Sequence, residues 1–187
     1  MKNIVIFASG SGTNAENIIL HFSKSTTAKV AAVFCNNEKA QVIEKAKILG
    51  VSTEIFSKND LNEGIVLRKL NHFHPDLIVL AGFLLKFPVT VILKYHNKII
   101  NIHPALLPKY GGKGMYGKHV HKAVLENKET ETGISIHYVN EHYDEGNIIF
   151  QQNIMISDCE TPEAIAEKVH QLEQKYFPEV IERLLAL

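Results

Sequence analysis

Asn101 and His103 stand two residues apart at the end of the apolar run Ile99-Ile100-Asn101-Ile102, and Pro104 and Pro108 follow in the string NIHPALLP. On an extended strand, residues i and i+2 project from one face, so the amide and the imidazole share a common space. That pair suits acyl chemistry. An amide N–H can donate to a carbonyl oxygen that gains negative charge, and an imidazole can do the same while also moving a proton. The two prolines fix φ and stiffen the loop beyond, which holds donors at a set distance.

Two further stretches could join them. Ser9-Gly10-Ser11-Gly12-Thr13-Asn14 lies between an apolar run and a helix start, the arrangement that turns backbone N–H groups toward a phosphate. It lacks the Lys of a P-loop and the third Gly of the dinucleotide fingerprint. A single phosphate monoester is the ligand it suits, beside the plain reading of a tight βα turn with Asn as cap. Asp144-Glu145-Gly146 offers a carboxylate that, set beside His103, would favour the imidazolium and raise its pKa above the usual value of about 6.5. Without that neighbour it reads as an ordinary turn.

The elements that must position these groups follow from patterning. Ile4 to Ala8, Val30 to Cys35 and Asp76 to Ala81 are short, continuously apolar runs, and Thr53 to Phe56 is a shorter one; such runs mark strands covered on both faces. Helices are expected over Ala15 to Leu20 and from Glu38 to Leu49, ended by Gly50. Another should run from Leu61 to Phe73, with Leu61, Ile65, Leu67 and Leu70 inward and Pro75 as the stop. Gly82 to Pro88 has no clean period. The Gly-rich stretch Tyr110 to Gly117 reads as a mobile loop able to cover substrate, and Lys118 to Asn127 as a helix. Ile134 to Val139 alternates as a strand with one exposed face, and Ile148 to Ile156 should pair with it antiparallel. Thr161-Pro162-Glu163 opens a helix to about Phe177, where Pro178 interrupts and Glu179 to Leu187 adds a last turn or two. The predicted fold is a single α/β domain, residues 1–187: a Rossmann-like, mostly parallel twisted sheet flanked by helices, with an antiparallel C-terminal edge. Ligands of such sheets sit at the carboxyl ends of the strands, so the Gly-rich turn and Asn101–His103 should face one cleft.

Bulk properties exclude several classes. Lys plus Arg and Asp plus Glu are 20 each, a formal net charge of zero, so no global field draws the chain to nucleic acid or anionic lipid. The 2 cysteines, Cys35 and Cys159, form no paired motif and suit a reducing cytoplasm. No apolar stretch reaches the roughly 18 residues of a membrane span. Among 10 histidines, His119 and His121 fall at i and i+2 on a predicted helix, which aims them apart, and no HxxxH or HExxH occurs, so a metal is not expected.

NIHPALLP resembles the signature of the folate-dependent formyltransferases, and the similarity runs from the Gly-rich turn to the C-terminal helix. It implies that Asn101, His103 and Asp144 are catalytic and that 10-formyltetrahydrofolate is the co-substrate. Within the family the resemblance is to the branch that formylates the amine of 5′-phosphoribosylglycinamide. There Gly12, Thr13 and Asn14 hold the acceptor's phosphate and Glu173 its ribose hydroxyls. Leu84, Leu85, Lys86 and Phe87 line the folate pocket, Leu85 standing where relatives commonly carry Arg, so backbone contacts are implied. Asn140, Glu141, His142, Tyr143 and Asp144, with Asn101, complete that pocket, and Lys58 reaches the folate's glutamyl tail. His137, on the strand face of Ser135, supports the pocket. The implied partners are small molecules, and the implied state is a monomer or weak homodimer in the cytoplasm. Other members using the same donor, those acting on methionyl-tRNA or releasing formate, and a folate- or nucleotide-binding protein without turnover remain alternatives.

Overall fold

In the computed structural model, which describes residues 1–186, fourteen elements follow one another. They are β1 (Lys2–Ala8), α1 (Thr13–Phe22), β2 (Ala28–Cys35), α2 (Gln41–Ile48), β3 (Ser52–Ile55), α3 (Lys58–Asn62), α4 (Ile65–Phe73), β4 (Leu77–Leu80), α5 (Val89–Lys94), β5 (Ile99–His103), α6 (Lys118–Glu126), β6 (Glu131–Tyr138), β7 (Ile148–Met155) and α7 (Pro162–Ala186). The strands form one sheet in the order β3-β2-β1-β4-β5-β6-β7. β1 to β5 run parallel, and β6 and β7 add an antiparallel edge.

β1 shows why the sheet is covered twice. Ile4, Ile6 and Ala8 join a core that includes Ile18 of α1, Val42 of α2 and Val169 of α7. Val5 and Phe7, with the opposite parity, join a second core that includes Leu61, Leu70 and Val91 from α3, α4 and α5. Side chains alternate along a strand, so a run without polar residues needs a helical layer on each face. The chain crosses from one layer to the other where β1 meets β2 on one side and β4 on the other. The loops after β1, β4 and β5 therefore surround one opening, as expected at such a switch point.

Several boundaries differ from the sequence reading. α2 starts at Gln41, not Glu38, because Asn37 makes a turn: its Oδ1 accepts from the Lys39 N–H at 3.1 Å, and Ala40 is extended at ψ 134. The single helix expected over Leu61 to Phe73 is split by Gly64 at φ 78. That break resets the phase, so Val66 rather than Ile65 or Leu67 is buried beside Leu61 and Leu70. β6 has no solvent face: Ser135 is 0% and His137 2% exposed.

Pro178 does not end a helix, since α7 is continuous from Pro162 to Ala186. A proline in a helix interior leaves the carbonyl four residues back without its donor. Here that carbonyl, on Gln174, accepts from the Asn17 side-chain amide at 2.7 Å, and Phe177, Pro178, Val180 and Ile181 are all buried. Thr161 caps the helix through its hydroxyl, which accepts from the Ala164 N–H at 3.2 Å. Leu187, assigned to the last turn from sequence, lies outside the described residues. Among the described residues no helix is long and apolar enough to cross a membrane.

Candidate active site

β5 delivers Asn101 and His103 to a cleft of about 840 Å³ whose walls come from the loops after β1, β4 and β5, from α6 and α7, and from residues 137–144. The loop after β5 is held from below by Ser135. Its hydroxyl accepts from the Leu107 N–H at 2.9 Å, donates to the Ala105 carbonyl at 2.7 Å and accepts from the Gln151 amide at 2.8 Å. Sequence reasoning had Ser135 and His137 on an exposed or supporting face. The polar parity of β6 was the available signal, and it reads instead as a buried scaffold for NIHPALLP.

The hydrogen bonds assign the ring tautomers. His137 Nδ1 lies 2.9 Å from the Tyr138 carbonyl, so it carries the hydrogen and donates. Its Nε2 is then free to accept from the Asn101 side-chain amide at 3.1 Å. One amide hydrogen of Asn101 is thereby spent on orientation and the other is left to point elsewhere. His103, 3% exposed, donates from Nε2 to the Tyr110 carbonyl at 2.7 Å. That leaves Nδ1 as the ring's proton acceptor, 3.6 Å from Asp144 Oδ2.

Asp144 also stands 3.6 Å from His137 Nε2 through Oδ1 and accepts from the Gly112 N–H at 2.9 Å. Its backbone is left-handed at φ 57, a conformation Asp tolerates better than most residues. Gly146 makes the turn possible by close approach: a Cβ there would sit 1.7 Å from the Tyr138 carbonyl oxygen. Burial alone would raise the Asp144 carboxyl, but His137 and His103 when protonated, together with the Gly112 N–H, outweigh it and hold it below the usual carboxylate range. His103 differs from expectation. Burial pulls its pKa below the ordinary value, and the opposing pull of Asp144 and the Tyr110 carbonyl does not restore it. The resting ring is neutral, an acceptor at Nδ1.

In the turn after β1, Gly12 has φ 70, and a Cβ there would collide with Val42, so the turn requires glycine on both counts. No side chain caps α1, so its first N–H groups stay open. Asn14, expected as a cap or phosphate ligand, spends its side chain on α7 instead. It donates to Glu173 Oε2 at 3.0 Å and accepts from the Gln174 amide at 3.1 Å. Ser11, Asn14 and Glu173 form cleft wall, whereas Gly12 and Thr13 shape the turn without lining it. His170, which the sequence reading left without a role, also lines the cleft and contacts Glu173 at 3.3 Å, and that carboxylate raises its pKa.

Leu84 to Phe87 line the cleft in irregular backbone. The Leu84 N–H donates to the Ser9 hydroxyl at 3.1 Å, while among the described residues the N–H groups of Leu85, Lys86 and Phe87 have no intramolecular partner. Lys86 Nζ lies 5.7 Å from the Tyr143 ring centre, which links this loop to the Asn140–Asp144 segment. Asn140, His142, Tyr143 and Asp144 are on the wall; Glu141 is not. Lys58 is exposed at the start of α3 and also lies off the wall. His119 faces Tyr116 at 5.3 Å between ring centres, whereas His121 is buried on the wall.

This geometry is found in a chain with clear relatives. A model of the formyl transferase family matches residues 2–181. The chain is 35% identical to the phosphoribosylglycinamide formyltransferase of Bacillus subtilis, covering 100% of this chain and 96% of that one. It is 37% identical to the chloroplastic phosphoribosylglycinamide formyltransferase of Arabidopsis thaliana, covering 96% of this chain and 64% of the plant protein's length. Among solved structures, glycinamide ribonucleotide transformylase 1 from Geobacillus kaustophilus superimposes with a TM-score of 0.89 at 36% identity, covering 99% of both chains.

Proposed function

The chain belongs to the formyl transferase family, and from that premise we propose that it transfers the formyl group of 10-formyltetrahydrofolate to the amine of 5′-phosphoribosylglycinamide in purine biosynthesis. The activity named for the Bacillus and Arabidopsis relatives supports this acceptor over a tRNA or water. The observation that carries the reading is the convergence of Asn101, His103, His137 and Asp144 on the wall of one cleft.

Two parts of that cleft wall suit the two substrates. Open N–H groups at the α1 turn and Glu173 nearby fit a phosphate and ribose hydroxyls. The unpartnered N–H groups of Leu85, Lys86 and Phe87 fit the polar edge of a pterin, with Leu84, Tyr143 and Asn140 beside it. In the reaction the acceptor's nitrogen bonds to the formyl carbon and the carbonyl electron pair moves to oxygen. The free amide hydrogen of Asn101 donates to that oxyanion. His103 Nδ1 collects the proton that the amine releases, and the imidazolium so formed is stabilised by Asp144 and adds its charge to the oxyanion's surroundings. Collapse breaks the bond to N10 of the folate, and His103 returns the proton there. His103 thus acts as base and then acid, starting neutral. No covalent intermediate on the enzyme is required.

Residues 1–187 act as one catalytic domain, and small molecules are its partners; the zero formal charge and unpaired cysteines suit the cytoplasm. The test is direct. The protein is incubated with both substrates and the loss of 10-formyl folate absorbance is followed. Turnover that needs phosphoribosylglycinamide supports the reading, and turnover with water or charged initiator tRNA alone replaces it with another branch of the family. No turnover with any acceptor would leave a binding protein.

A further inference from the structure

His121 occupies the cleft wall with no part in the steps above. Its side chain is 6% exposed, and Nδ1 is sealed from solvent with no hydrogen-bond partner among the described residues. Val120 and Val124 on the same helix are 0% exposed in an aliphatic core, so an apolar side chain would suit that environment. A buried polar atom left unpaired is a cost that a merely structural position would shed.

Nδ1 is shut off from the cleft, so what the ring can offer a ligand there is its other nitrogen. His121, Glu173 and His103 line the same cleft, and burial, the largest influence on the ring, keeps it neutral against the pull of the Glu173 carboxylate. A neutral imidazole carries one N–H. With Nδ1 enclosed and unpartnered, the hydrogen belongs on Nε2, the nitrogen left to face the cleft, because a buried N–H without an acceptor is the rarer orphan. A substrate with its ribose at Glu173 and its amine at Asn101–His103 must pass its connecting amide between them.

We propose that His121 is a substrate-contacting residue, which donates from Nε2 to the carbonyl oxygen of the amide joining the acceptor's ribose to its reactive amine. This rests on the acceptor assigned above. His121 thereby distinguishes an N-ribosyl amide from a bare sugar phosphate.

The test uses the full chain and calorimetric binding of two compounds, phosphoribosylglycinamide and ribose 5-phosphate, which lacks the amide. His121→Phe keeps a flat ring without the donor. It weakens phosphoribosylglycinamide about tenfold, the worth of one hydrogen bond left unmade, while ribose 5-phosphate binds within twofold of wild type. His121→Gln, which regains a donor, recovers part of the loss. If His121→Phe does not fold, the flexible and donorless His121→Met carries the same comparison. Equal weakening of both compounds, or of neither, overturns the proposal. A wild-type chain that binds neither overturns the acceptor assignment and this proposal with it.

Discussion

Asp144→Asn is the substitution that isolates the carboxylate's charge. Asn tolerates the left-handed backbone at φ 57 about as well as Asp does, and its side-chain oxygen can still accept from the Gly112 N–H. What disappears is the negative charge 3.6 Å from His103 Nδ1. For unit charges at that separation, an effective dielectric constant of about 20 gives roughly 4.6 kcal/mol. Both charges are spread over two atoms, so a mean separation of about 6 Å is the better figure, and at the same dielectric constant it gives about 2.8 kcal/mol, roughly a hundredfold in rate. The assay is kcat at saturating concentrations of both substrates, followed by folate absorbance across pH. His103 must start neutral, so the wild-type rate is lost only as pH falls through its depressed pKa. Because Asp144 pulls that value up, removing its charge moves the acidic limb further down while the plateau drops about a hundredfold. A variant that keeps its plateau within threefold, or whose acidic limb moves up, would refute the proposed proton path.

Three further outcomes are expected. Asn101→Ala removes the oxyanion donor and should lower kcat about a hundredfold to a thousandfold with the melting temperature nearly unchanged; a loss of less than tenfold would exclude the amide from that role. Gly146→Ala forces a Cβ into the Tyr138 carbonyl and should cost more than about 2 kcal/mol in denaturant unfolding, a result that wild-type stability would contradict. Asn17→Ala strips the Gln174 carbonyl of its side-chain donor and should destabilise by about 1 kcal/mol. In a Pro178→Ala background, where the helix can restore its own bond, that cost should shrink, and purely additive losses would show that the two residues are not coupled.

Much of the molecule was legible locally. Ile4 to Ala8 and Leu77 to Leu80 announce buried parallel strands because an apolar run without alternation has no face to give to water. NIHPALLP announces a site because an amide and an imidazole at i and i+2 share a strand face whatever surrounds them. Pattern was less able to predict phase and continuity. Gly64 reset one helix, and Pro178 failed to break another because a side chain from α1 satisfied the freed carbonyl.

What the chain decided unaided is therefore which residues are apolar, at what period, and which polar side chains sit at strand ends. Only the tertiary structure decided what covers each face and which distant groups meet. It turned the polar parity of β6 into the buried support of the catalytic loop, set Asp144 against two histidines at once, and let burial outweigh that carboxylate so that His103 rests neutral. The physical reason is that periodicity is a property of neighbours along the chain. Desolvation and Coulomb interaction depend on the distances between groups that the chain alone does not relate.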